Sequence, residues 1–334
     1  MQPRSKLLPL LGTLLVTGGF LLLGWLVYVS LSPGPAPYNY KLVEEGGVDK
    51  FAELGLEDWP DLAVSKYEVY VENVKKPVAV AHLVKSGEKP PVLLDWESLT
   101  SELLTSVDSK SSELVTLVTA IKKYAPKDAV ILSWWDISRQ IGLLTGRDTL
   151  FPSHHGEPVI IPSHWRERSE AIKNYEEEFW GAPAPAEERR KLQRFADALV
   201  ADVEKGSEIL RELAGSREAY VVLHVSDLYK LGLMRPESLD LAYKDFPMNS
   251  ANMHGLVNTV KRFKVENNYT TYTLQSLGDR AVRGYFLSNG QDTLLAQMLP
   301  FTETRPLELT KIQLIYQHGG YWVYKIPPVA PPAG

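Results

Sequence analysis

The hydrophobic pattern along the chain begins with one long apolar run, Leu7–Leu31. Residues 7–40 contain no Asp, Glu, Lys, Arg or His. Because about 20 apolar residues cross a bilayer, the run predicts a transmembrane helix. Arg4 and Lys6 precede it and Lys41 is the first charge after it, so the positive-inside rule predicts a cytoplasmic N-terminus with the bulk of the chain outside. A cleaved signal peptide is the alternative, but its apolar core usually has about 7–15 residues, so we expect an uncleaved anchor.

After residue 40 the hydrophobic pattern alternates between strand-like and helix-like segments. One of these segments is central to the predicted fold. Ala129–Ser133 is a short apolar run rich in branched residues, which is typical of a strand buried on both faces. Trp134, Trp135 and Asp136 follow it, and Asp136 is expected to cap a helix over Ile137–Leu144. These residues therefore lie at the carboxyl end of a strand, where open α/β sheets form crevices.

The same order of strand, polar cap and helix occurs again later in the chain. Ala219–Val225 is a second buried strand, and Ser226 and Asp227 begin a helix that runs to Leu233. Two such units predict an α/β fold, in which a mostly parallel sheet with flanking helices follows the single transmembrane helix. From Tyr269 onwards the pattern has period two, which predicts an antiparallel C-terminal β portion.

The other segments predict a hairpin, helices and C-terminal strands. The hairpin is expected from Tyr67–Val74 and Val78–Val84, which a short turn separates. The expected helices are Ser98–Val107, Ser111–Tyr124, Arg166–Phe179 and Glu187–Leu213. The expected C-terminal strands are Tyr269–Leu274, Val282–Ser288, Leu294–Phe301, Ile312–Gln317 and Tyr321–Ile326, the last two joined by a tight turn at His318–Gly320. Glu176, Glu177 and Glu178 are expected to form a solvated helix face.

These elements predict six segments along the chain. They are a cytoplasmic tail (1–6), the transmembrane anchor (7–31), a stiff proline-rich spacer (32–40), an α/β periplasmic domain (41–265), an antiparallel β portion of the same or a second domain (266–327) and a tail (328–334).

Composition changes this picture mainly by exclusion. The 334 residues carry a net charge of −5 without a basic stripe among aromatic residues, so nucleic acid is not an expected partner. The absence of cysteine excludes disulfides, cysteine-ligated zinc, iron–sulfur clusters and haem attachment through C-x-x-C-H. No G-x-G-x-x-G, Walker or G-x-S-x-G motif occurs. We therefore predict no cofactor and no catalytic residue, and we favour a non-enzymatic protein.

The candidate partner- or ligand-binding residues follow the central strand. Trp134 and Trp135 can form a stacking surface for a sugar, a quinone or a partner side chain, or they can pack in the core. Asp136 adds a carboxylate beside them. Arg147 and Asp148 can bind an anion or form a structural salt bridge.

A metal site is a further hypothesis. Imidazole and carboxylate groups suit zinc or iron, and the best metal candidates are Asp136, His154, His155 and His164. Their spacing matches no zinc pattern, and the alternative is a polar loop over Ser153–Trp165 whose histidines bond to the backbone. We therefore predict no metal and keep these three histidines as candidates only.

The segment SWWDISRQI, which begins at Ser133, resembles the SWWDYG-type motif in the outer soluble domain of oligosaccharyltransferase catalytic subunits. In that family the motif helps to recognise the acceptor hydroxyamino acid, so the resemblance implies recognition roles for Trp134, Trp135 and Asp136. Ile137 stands where that family has Tyr, and the next residue is Ser instead of Gly. Those enzymes also need a many-helix membrane domain that carries their catalytic acids, whereas this chain has one predicted span.

The layout of the whole chain resembles a second family, the hydroxylamine oxidation protein HaoB family of nitrifying and methane-oxidising bacteria. The similarity is carried by the N-terminal anchor, the lack of cysteine and three segments: AVILSWWDISRQIGLLTGRDTLF, YVVLHVSDLYKLGLM and QHGGYWVYKI. It covers most of the chain after the spacer. That family is encoded beside an octahaem hydroxylamine dehydrogenase and has no agreed catalytic residues.

This second resemblance implies a non-catalytic partner that tethers or assembles the octahaem hydroxylamine dehydrogenase. The expected location is the inner membrane, with a single pass through the lipid bilayer at residues 7–31, the N-terminus inside and the bulk of the chain in the periplasm. The docking surface is expected at Phe151–Trp165 or in the C-terminal sheet. Two alternatives stay open: a carbohydrate- or peptide-recognition domain, and a metal-dependent enzyme.

Overall fold

The computed structural model describes residues 7–31, 35–248 and 253–327. The helices are α1 (Leu7–Leu31), α2 (Ser111–Tyr124), α3 (Trp135–Thr145), α4 (Ser169–Trp180), α5 (Ala186–Val200), α6 (Val203–Ala214), α7 (Asp227–Met234), α8 (Met253–Glu266) and α9 (Leu294–Met298). The strands are β1 (Tyr38–Gly47), β2 (Leu62–Val71), β3 (Ala79–Ser86), β4 (Val92–Ser98), β5 (Val130–Leu132), β6 (Asp148–Thr149), β7 (Ala219–His224), β8 (Asp240–Pro247), β9 (Thr271–Ser276), β10 (Ala281–Asn289), β11 (Gln313–His318) and β12 (Tyr321–Ile326). The predicted tails 1–6 and 328–334, and residues 32–34 of the predicted spacer, lie outside the described residues.

The N-terminal helix α1 confirms the predicted apolar helix. Its stretch Leu10–Tyr28 has a mean hydropathy of 2.1 and is not buried against the rest of the protein. Among the described residues it is the one helix long and apolar enough to cross a bilayer. A helix of this kind near the N-terminus is compatible with a single-pass anchor or a signal sequence.

The first sheet is antiparallel and has four strands in the order β1-β2-β3-β4. The pairing of β2 with β3 confirms the predicted hairpin. Strand β1 was not predicted, because its sequence, YNYKLVEEGG, lacks a simple apolar alternation. Its Tyr38 and Tyr40 pack with Trp165 and Trp180 in a second core between this sheet and α4.

The sheet that contains the two strand–helix units has five strands in the order β11-β12-β7-β5-β6. Strand β5 is parallel to β7 and β6, whereas β12 is antiparallel to both β7 and β11. The sheet is therefore mixed, and the predicted mostly parallel sheet is not confirmed. The β11–β12 hairpin turns at the predicted glycines, where Gly319 adopts a positive φ of 55°. This hairpin adds to β7 because its buried face continues the main core.

Three of the predicted helices and strands are wrong in detail. Ser98–Val107 is not a helix but an irregular segment, in which Thr105 forms an isolated bridge with Ile160. Leu294–Phe301 is mostly the helix α9, because the Thr293 side chain accepts the Ala296 N–H as an N-cap. The long helix expected over Glu187–Leu213 is divided into α5 and α6, because Asp202 caps a new helix by accepting the Lys205 N–H at 2.9 Å.

The strands of the predicted antiparallel C-terminal portion belong to two different sheets. Strands β9 and β10 join β8 in a three-stranded antiparallel sheet of order β8-β10-β9, while β11 and β12 join the mixed sheet. Strand β8 lies before the predicted boundary at residue 265, and neither it nor α8 was predicted. The division of residues 41–327 into one or two domains stays a prediction.

Candidate functional site

The predicted crevice lies where the parallel neighbours β5 and β7 end. Residues Leu132 and Val221 pair across the two strands, so the segments that follow them meet at one edge of the sheet. We call the polar side chains gathered there the strand-end cluster; they are Asp136, His224, Ser226, Asp227 and Lys230. Helix α3 begins at Trp135, with Trp134 in the N-cap position, so the predicted cap at Asp136 is wrong. Asp136 instead lies in the first turn, where one carboxylate oxygen accepts the Ile137 N–H at 2.8 Å.

A buried lysine joins the two carboxylates of the strand-end cluster. Lys230 Nζ lies 2.7 Å from Asp136 Oδ2 and 2.9 Å from Asp227 Oδ1. Burial alone lowers the pKa of Lys230, but both carboxylates outweigh it and hold that pKa above its ordinary value. The lysine is thus a permanent cation, and it links the start of α3 to α7.

His224 lies at the end of β7 and is neutral in this cluster. Its Nδ1 is 2.7 Å from Ser226 Oγ and accepts the Ser226 N–H at 3.2 Å. Burial, and then the charge on Lys230, lowers the pKa of His224 to about 3. The ring packs on Tyr321 of β12, with centroids 4.6 Å apart. His224 therefore stays uncharged at neutral pH and serves as a packing group between β7 and β12.

The two tryptophans of the central segment are buried, with Trp134 4% and Trp135 5% exposed. Trp134 packs against Phe195 of α5. Trp135 stacks on His155 at a centroid distance of 5.6 Å and meets the edge of His154 at 4.8 Å. Core packing, which was one of the two predicted uses of these rings, accounts for their placement, and neither ring offers an open face on the surface.

A second polar cluster surrounds Glu176 of α4, whose side chain is 1% exposed. Its Oε1 accepts the hydroxyl of Tyr38 at 2.6 Å and that of Tyr40 at 3.0 Å. Burial raises the pKa of Glu176 to about 7, against the two tyrosine hydrogen bonds, which lower it. The expectation of a solvated face is therefore wrong for Glu176. A run of three glutamates hides this role, because only one of them points inward.

His154 completes the surroundings of Glu176. Its Nε2 lies 3.8 Å from Glu176 Oε2, and its Nδ1 accepts the Gly156 N–H at 3.0 Å. Burial, followed by the nearby charge on Arg139, lowers the pKa of His154 to about 2. The neutral ring therefore carries its proton on Nε2, towards the glutamate.

The three candidate histidines are not brought to one point. His155 Nε2 lies 3.8 Å from Glu188, and the exposed His164 lies 3.6 Å from Glu102. Within the described ranges, no group of three or more histidine, aspartate or glutamate side chains is arranged to hold a metal ion.

Arg147 and Asp148 do not pair with each other. Arg147 Nη2 donates to the backbone carbonyls of Lys122 at 3.2 Å and Ala125 at 2.9 Å, while Asp148 forms an ion pair with Arg217 at 2.7 Å. Both residues line a surface cleft that extends to the buried Arg139. A small inner cavity of about 20 Å³ continues from Arg139 to Trp135, Asp136 and Glu176.

Sequence reasoning missed Arg139, Glu176, His224 and Lys230. The signal for Lys230 was present, because an Asp and a Lys three residues apart share one face of a helix and here the flanking positions are apolar. Arg139 and His224 gave no comparable local signal, since their burial depends on contacts with distant residues: Pro91, directly before β4, and Tyr321 of β12.

Comparisons with known proteins agree with the sequence resemblances. A family model described as "HaoA-associated protein HaoB" matches residues 4–326. A search of curated proteins found no match. Among solved structures, the C-terminal domain of PglB from C. jejuni is similar at 11% sequence identity, with a TM-score of 0.38, over 64% of this chain and 98% of that one. This weak likeness is consistent with the resemblance of the SWWDISRQI segment to the oligosaccharyltransferase motif, and it carries no argument about function.

Proposed function

Because the chain belongs to the family of the HaoA-associated protein HaoB, we propose that it is a membrane-anchored, non-catalytic partner of HaoA, a hydroxylamine oxidoreductase. The observation that carries the proposal is the extent of the family match, which begins at residue 4 and so includes α1 as well as the folded region. We propose that the partner is the octahaem enzyme and that this chain tethers or assembles it at the periplasmic face of the inner membrane.

The dimensions of α1 support the anchor. Its 25 residues, at about 1.5 Å per residue, extend roughly 37 Å, which exceeds the ~30 Å hydrocarbon core of a bilayer. With the N-terminus inside and the folded region in the periplasm, the anchor would hold a docked enzyme at the membrane surface. Tethering raises the effective concentration of the enzyme there without any new contact with the bilayer.

The ionic groups of the strand-end cluster support a structural role for that cluster. Asp136 and Asp227 both contact Lys230, so this buried cation holds α3 against α7 and is not available to a substrate. The buried Trp134 and Trp135 also disfavour a glycan- or peptide-recognition surface, which would need an open aromatic face.

Of the two predicted docking surfaces, we favour the C-terminal strands, at the part of the mixed sheet that β11 and β12 form. The segment Phe151–Trp165 is mostly buried, whereas β11 is the edge strand of the mixed sheet. Ile315 of β11 and Tyr124 of α2 are 45% and 70% exposed, and they border an apolar groove of about 280 Å³. A large apolar side chain of HaoA filling this groove would be an anchor of the kind that dominates protein interfaces.

A capture experiment tests the function. Membranes from the source organism are solubilised in mild detergent, the full-length protein is captured, and the visible spectrum and mass of its companions are recorded. We expect a Soret band and a multihaem protein, and a colourless capture without a haem protein would contradict the partner function.

Matched variants test the docking surface separately. Ile315→Arg should abolish capture, because it places a charge in the apolar groove, while Leu307→Arg should not, since Leu307 is 82% exposed and lies outside the groove. Equal capture by both variants would contradict the docking surface but not the partnership.

A deletion tests the membrane anchor. Deletion of residues 7–31 should move the protein from the membrane to the soluble fraction.

A further inference from the structure

Arg139 of α3 is a buried charge with no carboxylate of the described residues in contact. Its side chain is 7% exposed, and Nη2 donates to the Pro91 carbonyl at 2.6 Å. Asp136 and Glu188 act on it only through longer-range charge interactions, and burial lowers the pKa of Arg139 to about 10. Buried guanidinium groups are usually paired, because removal of an unpaired charge from water is costly. The unused donors of this group therefore need an explanation.

The guanidinium lies at the inner end of a cleft of about 610 Å³, which is within the range of small-molecule sites. The rim carries two further cations, the exposed Lys89 and the half-buried Arg147. Among the described residues that line the cleft, Asp148 carries the one carboxylate, and it is already paired with Arg217. We call this the basic cleft, and its uncompensated positive charge favours an anionic occupant.

The side chains that line the basic cleft indicate what the uncharged part of the ligand is. Trp180 lies beside the guanidinium, with the Arg139 carbon Cζ 5.8 Å from the ring centroid. Leu143, Pro152 and Val92 add apolar surface. Gly146, whose positive φ of 66° ends α3, has no atom near its missing side chain, and this leaves the side of the cleft open. A ligand with an apolar body fits these walls.

The number of cations buried in the basic cleft indicates how many negative charges its ligand carries. Arg139 is the one cation buried in the cleft, since Lys89 is exposed and Arg147 has committed Nη2 to backbone carbonyls. The planar fork of a guanidinium fits both carboxylates and phosphates, but a single buried guanidinium balances only one negative charge, and this favours a monocarboxylate over a dianionic phosphate.

We propose that the basic cleft binds a small organic monocarboxylate, whose carboxylate contacts Arg139 and whose apolar body packs on Leu143 and Pro152. The inference does not depend on the proposed partnership with HaoA. It assigns a ligand site to a region in which Arg147 and Asp148 were candidates from the sequence.

The test uses the full chain in detergent and benzoate as the probe. Isothermal titration and thermal unfolding are measured with benzoate, with its neutral isostere benzamide, with inorganic phosphate, and with chloride at equal ionic strength. We expect saturable binding and a higher melting temperature with benzoate only, because a ligand that binds the folded state alone stabilises it. Binding of benzamide or phosphate as tight as that of benzoate, or an equal effect of chloride, would overturn the proposal, and so would the absence of benzoate binding.

Variants assign the binding to the cleft. Arg139→Met should weaken benzoate binding about 10- to 100-fold, the usual loss for a hydrogen bond to a charged group, and Arg139→Lys should weaken it less.

Because the Arg139 variants also lose the contact with Pro91, a variant at the rim of the cleft provides a second test. Lys89→Glu should weaken binding about three- to tenfold, whereas Lys85→Glu, an exposed residue of β3 outside the cleft, should leave it unchanged. If folded Arg139→Met binds benzoate as wild type does, or if Lys89→Glu and the control Lys85→Glu behave alike, the site is not the basic cleft.

Discussion

The buried carboxyl group of Glu176 predicts a stability that falls as the pH rises. In the folded protein its pKa is about 7, whereas an exposed glutamate has a pKa of 4.5. The folded state therefore holds a proton that the unfolded state has released between these two values. The stabilising contribution is fully present below pH 4.5 and is lost as the pH rises through 7.

The expected magnitude follows from this difference. Each pH unit between the two pKa values is worth about 1.36 kcal/mol, so the full effect above neutral pH is about 3 kcal/mol. Between pH 5 and pH 8 the contribution of this one group should change by about 2–3 kcal/mol. Glu176→Gln removes the titration but keeps an oxygen that can accept the Tyr38 and Tyr40 hydroxyls.

The assay is the free energy of unfolding of wild type and Glu176→Gln at both pH values, followed by tryptophan fluorescence. Any constant cost of the amide cancels in the difference between the two pH values. Glu178→Gln is the matched control, since Glu178 is exposed on the same helix and should leave the pH dependence unchanged. The reasoning is refuted if wild type and Glu176→Gln lose the same stability between pH 5 and pH 8.

Three further substitutions test the packing of the site by the same unfolding assay. Lys230→Met should cost about 3–5 kcal/mol, because it leaves two buried carboxylates without their cation, and a loss under about 1 kcal/mol would show that the ion pairs are not formed. Trp135→Ala should cost about 3–5 kcal/mol by leaving a cavity, and a neutral effect would mean that the ring is not in the core. Gly320→Ala should cost about 1–3 kcal/mol, because the added Cβ would overlap His224 Nε2, and unchanged stability would contradict this close approach.

The sequence predicted the strand–helix units well because their signals are local. The apolar runs at β5 and β7 are buried on both faces, and their composition alone indicates this. The helix predicted over Ser98–Val107 was wrong because the conformation of this segment is not set by local signals. Its conformation depends on distant partners, since Asp108, directly after it, accepts the Ser98 N–H and pairs with Arg283 of β10. No periodicity within ten residues can report such contacts.

The local sequence pattern also could not predict whether neighbouring strands run parallel or antiparallel. Ala219–His224 is a buried strand whichever way its neighbours run, so the antiparallel addition of β12 on one side and the parallel β5 on the other were both possible. Leu294–Met298 is buried at every position except Gln297, and a short run of this kind does not distinguish a strand from a helix. The cap at Thr293 was the one local signal that favours the helix.

Burial changes the meaning of the SWWD segment. Read along the chain, two tryptophans and an aspartate at a strand end indicate a surface that recognises a ligand. In the fold, Asp136 is committed to Lys230, which lies on the other strand–helix unit, and both rings are packed inside. The segment therefore couples the two units, whereas Arg139, four residues beyond Trp135 on α3, keeps free donors towards the basic cleft. Because residues three and four apart share one face of a helix, the packing of Trp135 also fixes where Arg139 points. A tryptophan substitution that weakened ligand binding would consequently act through this arginine, and its effect should disappear in the Arg139→Met background.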